Sequence, residues 1–422
     1  MEILANINFA LGIVFFFAYG YQMFYILVPF FRKHKKHKEP IKKNKLAVLI
    51  SARNEELVIG NLLDSINIQD YDKDLIKVFV VADNCTDRTA EIARGYGATV
   101  YERFNQELVG KGYALDWLLD NIRRDGYWED IDAFLVFDAD NVLTPNYISE
   151  MNKTFSDGYE AVTSYRNSKN YGDNWISAGY GLWYLRESKY LHNSRMLMHT
   201  SCAISGTGFL VSKRIIEKHG GWKFFLLTED IEFSICNVVY GERIGYCAGA
   251  ELYDEQPVTF KQSWKQRLRW SKGFFQVFGK YGWRLVKGIF KHKSFACFDM
   301  IMNIMPAFII TNLSIIISLV SIVVGLIRGL DFAPVMQSFG GYLIFTYCIM
   351  LAIGAVTTVT EWKKIICPAW KKIFYLFTFP LFMFTYLPIS AVALFKKVRW
   401  EPIEHTRSKS LDDIVKEDES NK

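Results

Sequence analysis

The chain has 422 residues, of which 50% are hydrophobic, 16% aromatic and 22% charged, and its net charge is +6. This apolar content excludes a disordered protein, and so many aromatic residues are rare in a purely soluble one. A transporter made of membrane helices alone would carry far fewer charges. The average therefore combines a charged soluble region with a nearly uncharged membrane region.

The cysteines are scattered and form no C-x-x-C pair and no cluster with histidine. This arrangement is typical of reduced thiols and argues against a disulfide framework or a zinc site. The positive net charge suits either nucleic acid or a membrane surface, and its position along the chain decides between them.

The first long apolar stretch runs from Phe9 to Phe31. It is long enough to cross a bilayer, which needs about 20 residues, and too long for the core of a signal peptide. The basic residues that follow it are Arg32, Lys33, Lys35, Lys36, Lys38, Lys42 and Lys43. The positive-inside rule predicts an external N-terminus and a cytoplasmic region after this flank. No nucleic-acid-binding signature follows, so the flank indicates a membrane surface.

Residues 44–262 contain no segment that is apolar and long enough to span a membrane. Short apolar runs in this region alternate with helical periodicity and are predicted strands: Leu46–Ile50, Val78–Ala82, Thr99–Tyr101 and Ala133–Phe137. The alternation predicts an α/β fold with a parallel sheet, helices on both faces and ligands at the carboxyl ends of the strands. Glycine-rich dinucleotide, P-loop and hydrolase-elbow motifs are absent from the sequence.

Two acidic motifs follow predicted elements. Asp138-Ala139-Asp140 ends the fourth strand, and if the strand geometry continues, both carboxylates point to one side of the sheet. Such oxygen ligands suit Mg²⁺ or Mn²⁺ held jointly with substrate phosphates, although a solvated acidic turn gives the same pattern. Thr228-Glu229-Asp230 precedes a helical run, and its acids fit either a helix cap or a general base for a hydroxyl group.

Two basic motifs complete the set. In Gln266-Arg267-Leu268-Arg269-Trp270, the arginines and the glutamine can hold a diphosphate, and the tryptophan can stack on a sugar. Gly110-Lys111-Gly112 places a lysine and open backbone amides at a helix start, which suits a phosphate. Taken singly, the first could be a basic patch at the membrane edge and the second a plain loop.

The C-terminal part of the chain returns to apolar sequence. Lys272–Lys291 has aromatic and basic residues at helical spacing and predicts an amphipathic helix in the membrane interface, with an ordinary core-facing helix as the alternative. Phe308–Ile327, Phe339–Val359 and the proline-containing Phe374–Phe395 are predicted spans, and Phe295–Met305 is too short.

These spans create a parity conflict. One crossing before the soluble region and three after it place the basic tail outside, against the positive-inside rule. The alternatives are a re-entrant last segment, an additional crossing within residues 295–327 or an external tail.

In their order and spacing, these motifs resemble the membrane-bound, inverting family 2 glycosyltransferases. Among these, they are most similar to processive β-glycan synthases such as cellulose, mixed-linkage glucan, hyaluronan and poly-N-acetylglucosamine synthases. The resemblance implies a GT-A-like nucleotide-diphospho-sugar transferase domain inserted between transmembrane helices. The expected boundaries are 1–43 for the first helix and basic flank, 44–265 for the cytosolic transferase, 266–306 for the Q-x-x-R-W motif and interfacial helices, 307–395 for the membrane helices and 396–422 for the tail.

The resemblance also assigns roles to residues. It implies donor binding by Ser51, Arg53, Glu55, Asp83, Lys111, Asp138, Gln266 and Arg269, and metal binding by Asp140. It implies catalysis by Asp230 as the base with Glu229 beside it, and acceptor binding by Trp270, Gly206 and Thr207. Where the family usually has two adjacent acids on the second strand, this chain has Ala82-Asp83. Its mobile gating loop corresponds at best to Trp400–Arg407, which requires a cytoplasmic tail.

The function implied is the polymerisation of a UDP-hexose, with UDP-glucose favoured over UDP-N-acetylglucosamine, by an enzyme of the plasma membrane that uses Mg²⁺ or Mn²⁺. Its partners would be the donor, the growing glycan and the bilayer, with no nucleic acid. A small accessory membrane subunit or a homo-oligomer is compatible with this arrangement. The alternatives are transfer of a single sugar to a lipid or short glycan, and a transporter with a sensing domain.

Overall fold

The computed structural model describes residues 2–34, 37, 41–304, 307–329, 333–403, 405 and 407–421. Within them, eight strands form one sheet in the order β3-β2-β1-β4-β7-β6-β8-β5. The strands are β1 (Leu46–Ala52), β2 (Ile76–Asp83), β3 (Thr99–Arg103), β4 (Ala133–Asp138), β5 (Val142–Leu143), β6 (Ala161–Ser168), β7 (Phe209–Ser212) and β8 (Ile244–Asp254). The four predicted strands are confirmed as β1 to β4, which pair in parallel. Beyond them the sheet is mixed, since β7 runs antiparallel to β4 and β6.

Helices cover both faces of the sheet and continue into the membrane part. They are α1 (Glu2–Tyr19), α2 (Tyr21–Phe31), α3 (Ile59–Asn67), α4 (Thr89–Gly95), α5 (Lys111–Arg124), α6 (Tyr147–Ser156), α7 (Trp175–Arg186), α8 (Asn193–Leu197), α9 (Lys213–His219), α10 (Glu229–Val239), α11 (Phe260–His292), α12 (Phe295–Ile304), α13 (Ala307–Ile327), α14 (Ala333–Thr360), α15 (Ala369–Phe384), α16 (Tyr386–Phe395) and α17 (Leu411–Ser420). A π-helical segment, Glu187–His192, joins α7 to α8. We call residues 44–259, which carry the sheet, the sheet domain.

The hydrophobic core has two parts, one on each face of the sheet, because alternate side chains of each strand point to opposite faces. In β1, Leu46, Val48 and Ile50 pack with α3, α4 and α6 on one face of the sheet. Ala47 and Leu49 pack on the other face with α5, α10, α11 and α12. Because successive strand side chains point to opposite faces, an uninterrupted apolar strand is what a sheet covered on both faces requires.

The apolar face of the long helix α11 does not lie where the sequence predicted, which was in the membrane interface. Tyr281 and Leu285 are buried in the sheet-domain core, and Phe274, Phe278 and Ile289 pack against it. The core-facing alternative therefore describes these side chains, and they do not form a membrane-facing surface. Periodicity alone indicates an apolar face without indicating what covers it.

Three stretches of the described residues are long and apolar enough to cross a membrane: Phe9–Phe31, Gly340–Thr360 and Ala369–Phe395. The first coincides with a predicted span, and the others overlap predicted ones. The predicted span Phe308–Ile327 lies in α13, which has 21 residues. Lys35, Lys36 and Lys38 of the basic flank and Met305 of the short segment lie outside the described residues.

The last of these stretches, α15–α16, contacts the sheet domain or α11 along its length. At its start, Lys371 Nζ donates to Gly172 O at 2.7 Å, and near its end Lys272 Nζ donates to Ala393 O at 3.0 Å. Between them the helix bends at Thr385, whose hydroxyl accepts from Arg267 at 2.6 Å. Pro388 contributes to this bend because it lacks the N–H that would bond to the carbonyl four residues earlier.

Candidate active site

The carboxyl end of β4 carries the predicted metal ligand. The strand ends at Asp138, so Asp140 lies in the following turn and the expectation of continued strand geometry is wrong. Asp140 is 4% exposed, and its Oδ2 accepts from the backbone N–H of Glu255, after β8, at 2.8 Å. Burial would raise the pKa of Asp140, but the positive charges of His405 and Lys169 and the Glu255 amide outweigh burial and lower it. Asp140 is therefore an ionised, buried carboxylate.

The residues present fit a divalent cation held jointly with substrate oxygens. Asp140 forms no ion pair with any residue that the structure describes. Within the same described ranges, no cluster of three His, Cys, Asp or Glu side chains could hold a metal without help. Mg²⁺ in particular is commonly bound by one or two carboxylates together with phosphates and water.

Lys111 connects three of the predicted motifs. Its Nζ donates to Asp138 Oδ1 at 2.5 Å and to Gly206 O at 2.8 Å. The backbone N–H of Asp138 in turn donates to Thr207 Oγ1 at 2.8 Å. The lysine motif, the first aspartate of D-x-D and the predicted acceptor loop thus form one hydrogen-bonded unit.

The predicted base stands beside this unit. Glu229 and Asp230 lie in the first turn of α10, and a Cβ placed on Gly206 would come within 3.9 Å of Asp230 Oδ2. Burial raises the pKa of Asp230, opposed by backbone N–H groups and by the charges of Lys111 and Arg269. Burial and the charge of Asp230 raise the pKa of Glu229 to about 7. Raised carboxyl pKa values of this kind are typical of general acids and bases.

The predicted nucleoside side lies at the ends of β1 and β2. Ser51 pairs with Asp138 and Val81 in the sheet register, which brings the strand ends together. Asp83 is buried and forms an ion pair with Arg103, its Oδ1 accepting from Arg103 Nη1 at 2.5 Å. Ala82 stands where the family usually has a second acidic residue on this strand, and Arg103 of β3 pairs with the remaining one, Asp83.

Two further donor-side residues contact the C-terminal tail. The Arg53 guanidinium lies over the Trp400 ring at 5.5 Å from its centroid, and Arg53 Nη1 is buried without a hydrogen-bond partner. Glu55 contacts His405, whose Nδ1 is 3.0 Å from both carboxylate oxygens. The predicted gating segment therefore lies against the predicted donor residues. Its residues 404 and 406 lie outside the described ranges.

The Q-x-x-R-W residues face different ways on α11. Arg269 lies near the base and donates to Leu227 O at 3.4 Å, and Gln266 Oε1 is buried without a partner. Arg267 instead donates to Thr385 and to Phe382 O, so it fastens the α15–α16 bend and does not join the diphosphate side. Trp270 packs in an aromatic cluster that also contains Trp175, Tyr180, Trp183, Tyr184, Phe382 and Tyr386.

Sequence reasoning missed the residues that β6 and β8 contribute. Arg166 donates to Asp254 Oδ2 and to Ser205 O, and so connects the end of β8 to the acceptor loop. Lys169 follows β6, is 2% exposed, and its Nζ has no hydrogen-bond partner. The only available signal was a polar residue pattern, because neither strand has a long uninterrupted apolar run.

A family model described as glycosyltransferase-like family 2 matches residues 43–273, which is more than half of the chain. The chain belongs to glycosyltransferase family 2. Its mixed sheet flanked by helices is the GT-A-like fold of this family.

Curated relatives include a probable glycosyltransferase YdaM of Bacillus subtilis, 29% identical over 54% of this chain and 55% of the relative. A β-monoglucosyldiacylglycerol synthase of Synechocystis is 25% identical over 57% of this chain and 50% of the relative. A poly-β-1,6-N-acetyl-D-glucosamine synthase of Staphylococcus epidermidis is 24% identical over 57% of each chain. The chain spans about half the length of the curated relatives it matches.

A solved structure shares the fold. The mannosyltransferase PcManGT from Pyrobaculum calidifontis, in complex with GDP-Man and Mn²⁺, superposes with a TM-score of 0.56 at 17% identity, over 85% of this chain and 98% of the other. This similarity extends the fold assignment beyond the region matched by the family model.

Proposed function

We propose that this transferase is an inverting enzyme that moves a hexose from a UDP-sugar onto a growing β-linked glycan. The observation that carries the proposal is the Lys111 bridge between Asp138 and Gly206, with Asp230 beside Gly206. Lys111 thus connects Asp138, on the proposed diphosphate side, to Gly206, which lies beside the proposed base.

In the proposed reaction, Asp230 accepts the proton of the acceptor hydroxyl as its oxygen attacks the anomeric carbon. The bond from that carbon to the diphosphate breaks, and the nucleoside diphosphate leaves. A single displacement converts an α-linked donor into a β-linked product. The charges of Lys111 and Arg269 act on Asp230, and in the proposed reaction they stabilise the negative charge that develops on the departing diphosphate.

Asp140 would hold the Mg²⁺ or Mn²⁺, which neutralises the charge of the leaving diphosphate when it is bound. The solved mannosyltransferase carries Mn²⁺ together with GDP-Man, which supports a metal-assisted nucleotide-sugar reaction. Because the donor in that structure is a GDP-sugar, our proposal of a UDP-sugar donor rests on the resemblance of the motifs.

A polymeric product is supported by the aromatic cluster around Trp270. Rings are the usual platforms for sugars, and Trp175, Trp183, Trp270 and Tyr386 of this cluster are only partly buried. A growing chain could stack there as it leaves the base. We further propose that the tail, which contacts Arg53 and Glu55, is a gate over the donor.

A second candidate function is transfer of one sugar to a membrane lipid. The candidate spans are only 18%, 22% and 33% buried, so they form no tightly enclosed bundle within the described residues. Relatives named as glucosyldiacylglycerol synthases also fit this alternative. If the product is a polymer, an accessory subunit or a second copy of this chain would be needed to enclose a channel for it. Such a partner stays a prediction.

The deciding experiment incubates the purified full chain with UDP-glucose or UDP-N-acetylglucosamine and Mn²⁺, with and without diacylglycerol. The products are separated by size, and UDP release is measured in parallel. A ladder of glycans supports the synthase, and a single glucosylated lipid supports the second candidate. No nucleotide release with UDP- or GDP-sugars would contradict both and would favour a transporter or an inactive homologue.

A further inference from the structure

The end of β6 brings a buried lysine to the edge of the metal side. Lys169 follows Ser168, which pairs with Asp254 in the register of β6 and β8. Its backbone N–H donates to Asp254 O at 2.9 Å, and the next residue along, Glu255, donates its N–H to Asp140. The end of β8 therefore connects Lys169 on one side to the proposed metal ligand, Asp140, on the other.

The Lys169 side chain is in an unusual state for a buried ammonium. It is 2% exposed, and Nζ has no hydrogen-bond partner, although an ammonium carries three donors. Burial lowers its pKa, while the charges of Asp140, Glu255, Asp254 and Glu55 oppose that shift. A buried, unpaired ammonium is costly unless some other group completes its contacts.

Most neighbouring charges are already satisfied by other partners. Asp254 accepts from Arg166, and Glu55 contacts His405. Glu255 accepts from the Arg407 amide. Asp140 receives backbone and amide N–H groups but no cation among the described residues. The pocket thus contains a carboxylate that forms no ion pair with a described residue, although the charges of His405 and Lys169 act on it, and an ammonium that has no hydrogen-bond acceptor.

From this pairing we propose that Lys169 binds the donor diphosphate on the metal side of the site. A metal–diphosphate is a cation and an anion side by side, and it would supply a directly bound cation for Asp140 and hydrogen-bond acceptors for Lys169 together. Lys111, in contrast, is already bonded to Asp138 and Gly206. The assignment of Lys169 rests on the proposed function, because it presumes a nucleoside-diphosphate donor.

The test measures binding of UDP in the presence of Mn²⁺ by calorimetry, and binding of Mn²⁺ alone by the loss of its free electron-spin signal. Lys169→Met should weaken UDP binding at least tenfold, and Lys169→Arg should retain part of the affinity. The same Lys169→Met change should leave Mn²⁺ affinity equal or several-fold tighter, since it removes a positive charge beside Asp140. A purely structural lysine would weaken both ligands in parallel.

Lys213→Met is the matched control. Lys213 lies at the opposite end of β4, where its backbone N–H donates to Asp132 O, and its side chain pairs with Glu129. The control should bind UDP as the wild type does. UDP affinity within twofold of wild type in Lys169→Met, or parallel loss of both ligands, would overturn the assignment. If the wild type binds neither UDP nor GDP with Mn²⁺, the proposed function itself fails, and Lys169 with it.

Discussion

His405 and Glu55 are 350 positions apart, yet Nδ1 of the imidazole lies 3.0 Å from both oxygens of the carboxylate. The segment that carries His405 leaves the membrane part after α16 and crosses the donor side of the sheet domain. It is fixed further along, where Ile414 of α17 packs against Val142 and Ile366. The tail is thus held at both sides of the proposed donor site.

This contact predicts that His405→Ala opens the tail. A hydrogen bond to a charged group contributes about 1.5–3 kcal/mol, so the open population should rise roughly 10- to 100-fold. Trypsin cleavage after Arg399 or Arg407 should accelerate accordingly, and transfer should slow. Arg214→Ala, which breaks an exposed pair with Glu242, serves as the control. Unchanged cleavage in His405→Ala would show that the contact does not hold the tail.

Asp230→Asn should slow transfer strongly while sparing donor binding. Loss of a general base lowers the rate by about 10²- to 10⁴-fold, whereas asparagine keeps the shape of the side chain. The measurement compares turnover with the affinity for UDP and Mn²⁺, which should stay within about twofold of wild type. Normal turnover in this variant would remove Asp230 from its proposed role.

The pH dependence of transfer should report the same residue. Burial raises the pKa of Asp230, and only the ionised carboxylate accepts a proton, so activity should fall as the pH falls through that raised pKa. The charge of Asp230 helps to raise the pKa of Glu229 to about 7, so Asp230 is already ionised while Glu229 is still protonated, and Glu229→Gln should leave this acid limb in place. Profiles of kcat/KM for the two proteins check this. A clear shift of the acid limb in Glu229→Gln would contradict this order of ionisation.

The sequence predicted β1 to β4 because each is an apolar run ending in polar residues. It was the family resemblance of the motifs that predicted Asp138, Lys111 and Asp230 to share one site. The sequence did not reveal Arg166 or Lys169, because β6 and β8 are held by pairing between distant segments and contain polar residues. Apolar periodicity also could not distinguish the core from lipid for Tyr281 and Leu285. Tertiary context determines both features.

A buried cluster fastens the first membrane helix to the sheet domain. Asp299 accepts from Tyr21 and Tyr25 at 2.7 and 2.8 Å, and from the Nη2 and Nε of Arg195 at 2.9 Å each. Arg195→Met leaves the Asp299 charge buried without its partner, which should destabilise the protein by about 3–5 kcal/mol.

Thermal midpoints in detergent measure this effect for the cluster. The double variant Arg195→Met with Asp299→Leu should recover part of the loss, because it removes the unpaired charge. Tyr25→Phe, which deletes one hydrogen bond, should lower the midpoint less than Arg195→Met. A double variant no more stable than Arg195→Met would mean that packing, not charge pairing, dominates at this position.

The contacts of α15–α16 lead to a prediction about membrane topology. The loop before it contacts the sheet domain, since Asn167 Nδ2 donates to Lys364 O at 2.9 Å, and the tail after it contacts Glu55. We therefore predict that both ends lie on one side of the membrane and that this apolar stretch is re-entrant or interfacial. With α1–α2, α13 and α14 as the crossings, the basic tail stays beside the sheet domain and the parity conflict disappears.

Single cysteines test this topology in a Cys348→Ser background. Cysteine at Lys363 and cysteine at Lys416 should react with a membrane-impermeant maleimide in the same vesicle orientation. Cysteine at Arg328, between α13 and α14, should react only in the opposite one. All three positions are exposed, so access depends on the side of the membrane. If the Lys363 and Lys416 positions react from opposite faces, α15–α16 crosses the bilayer, and the tail could not close over Glu55 in the membrane-embedded enzyme.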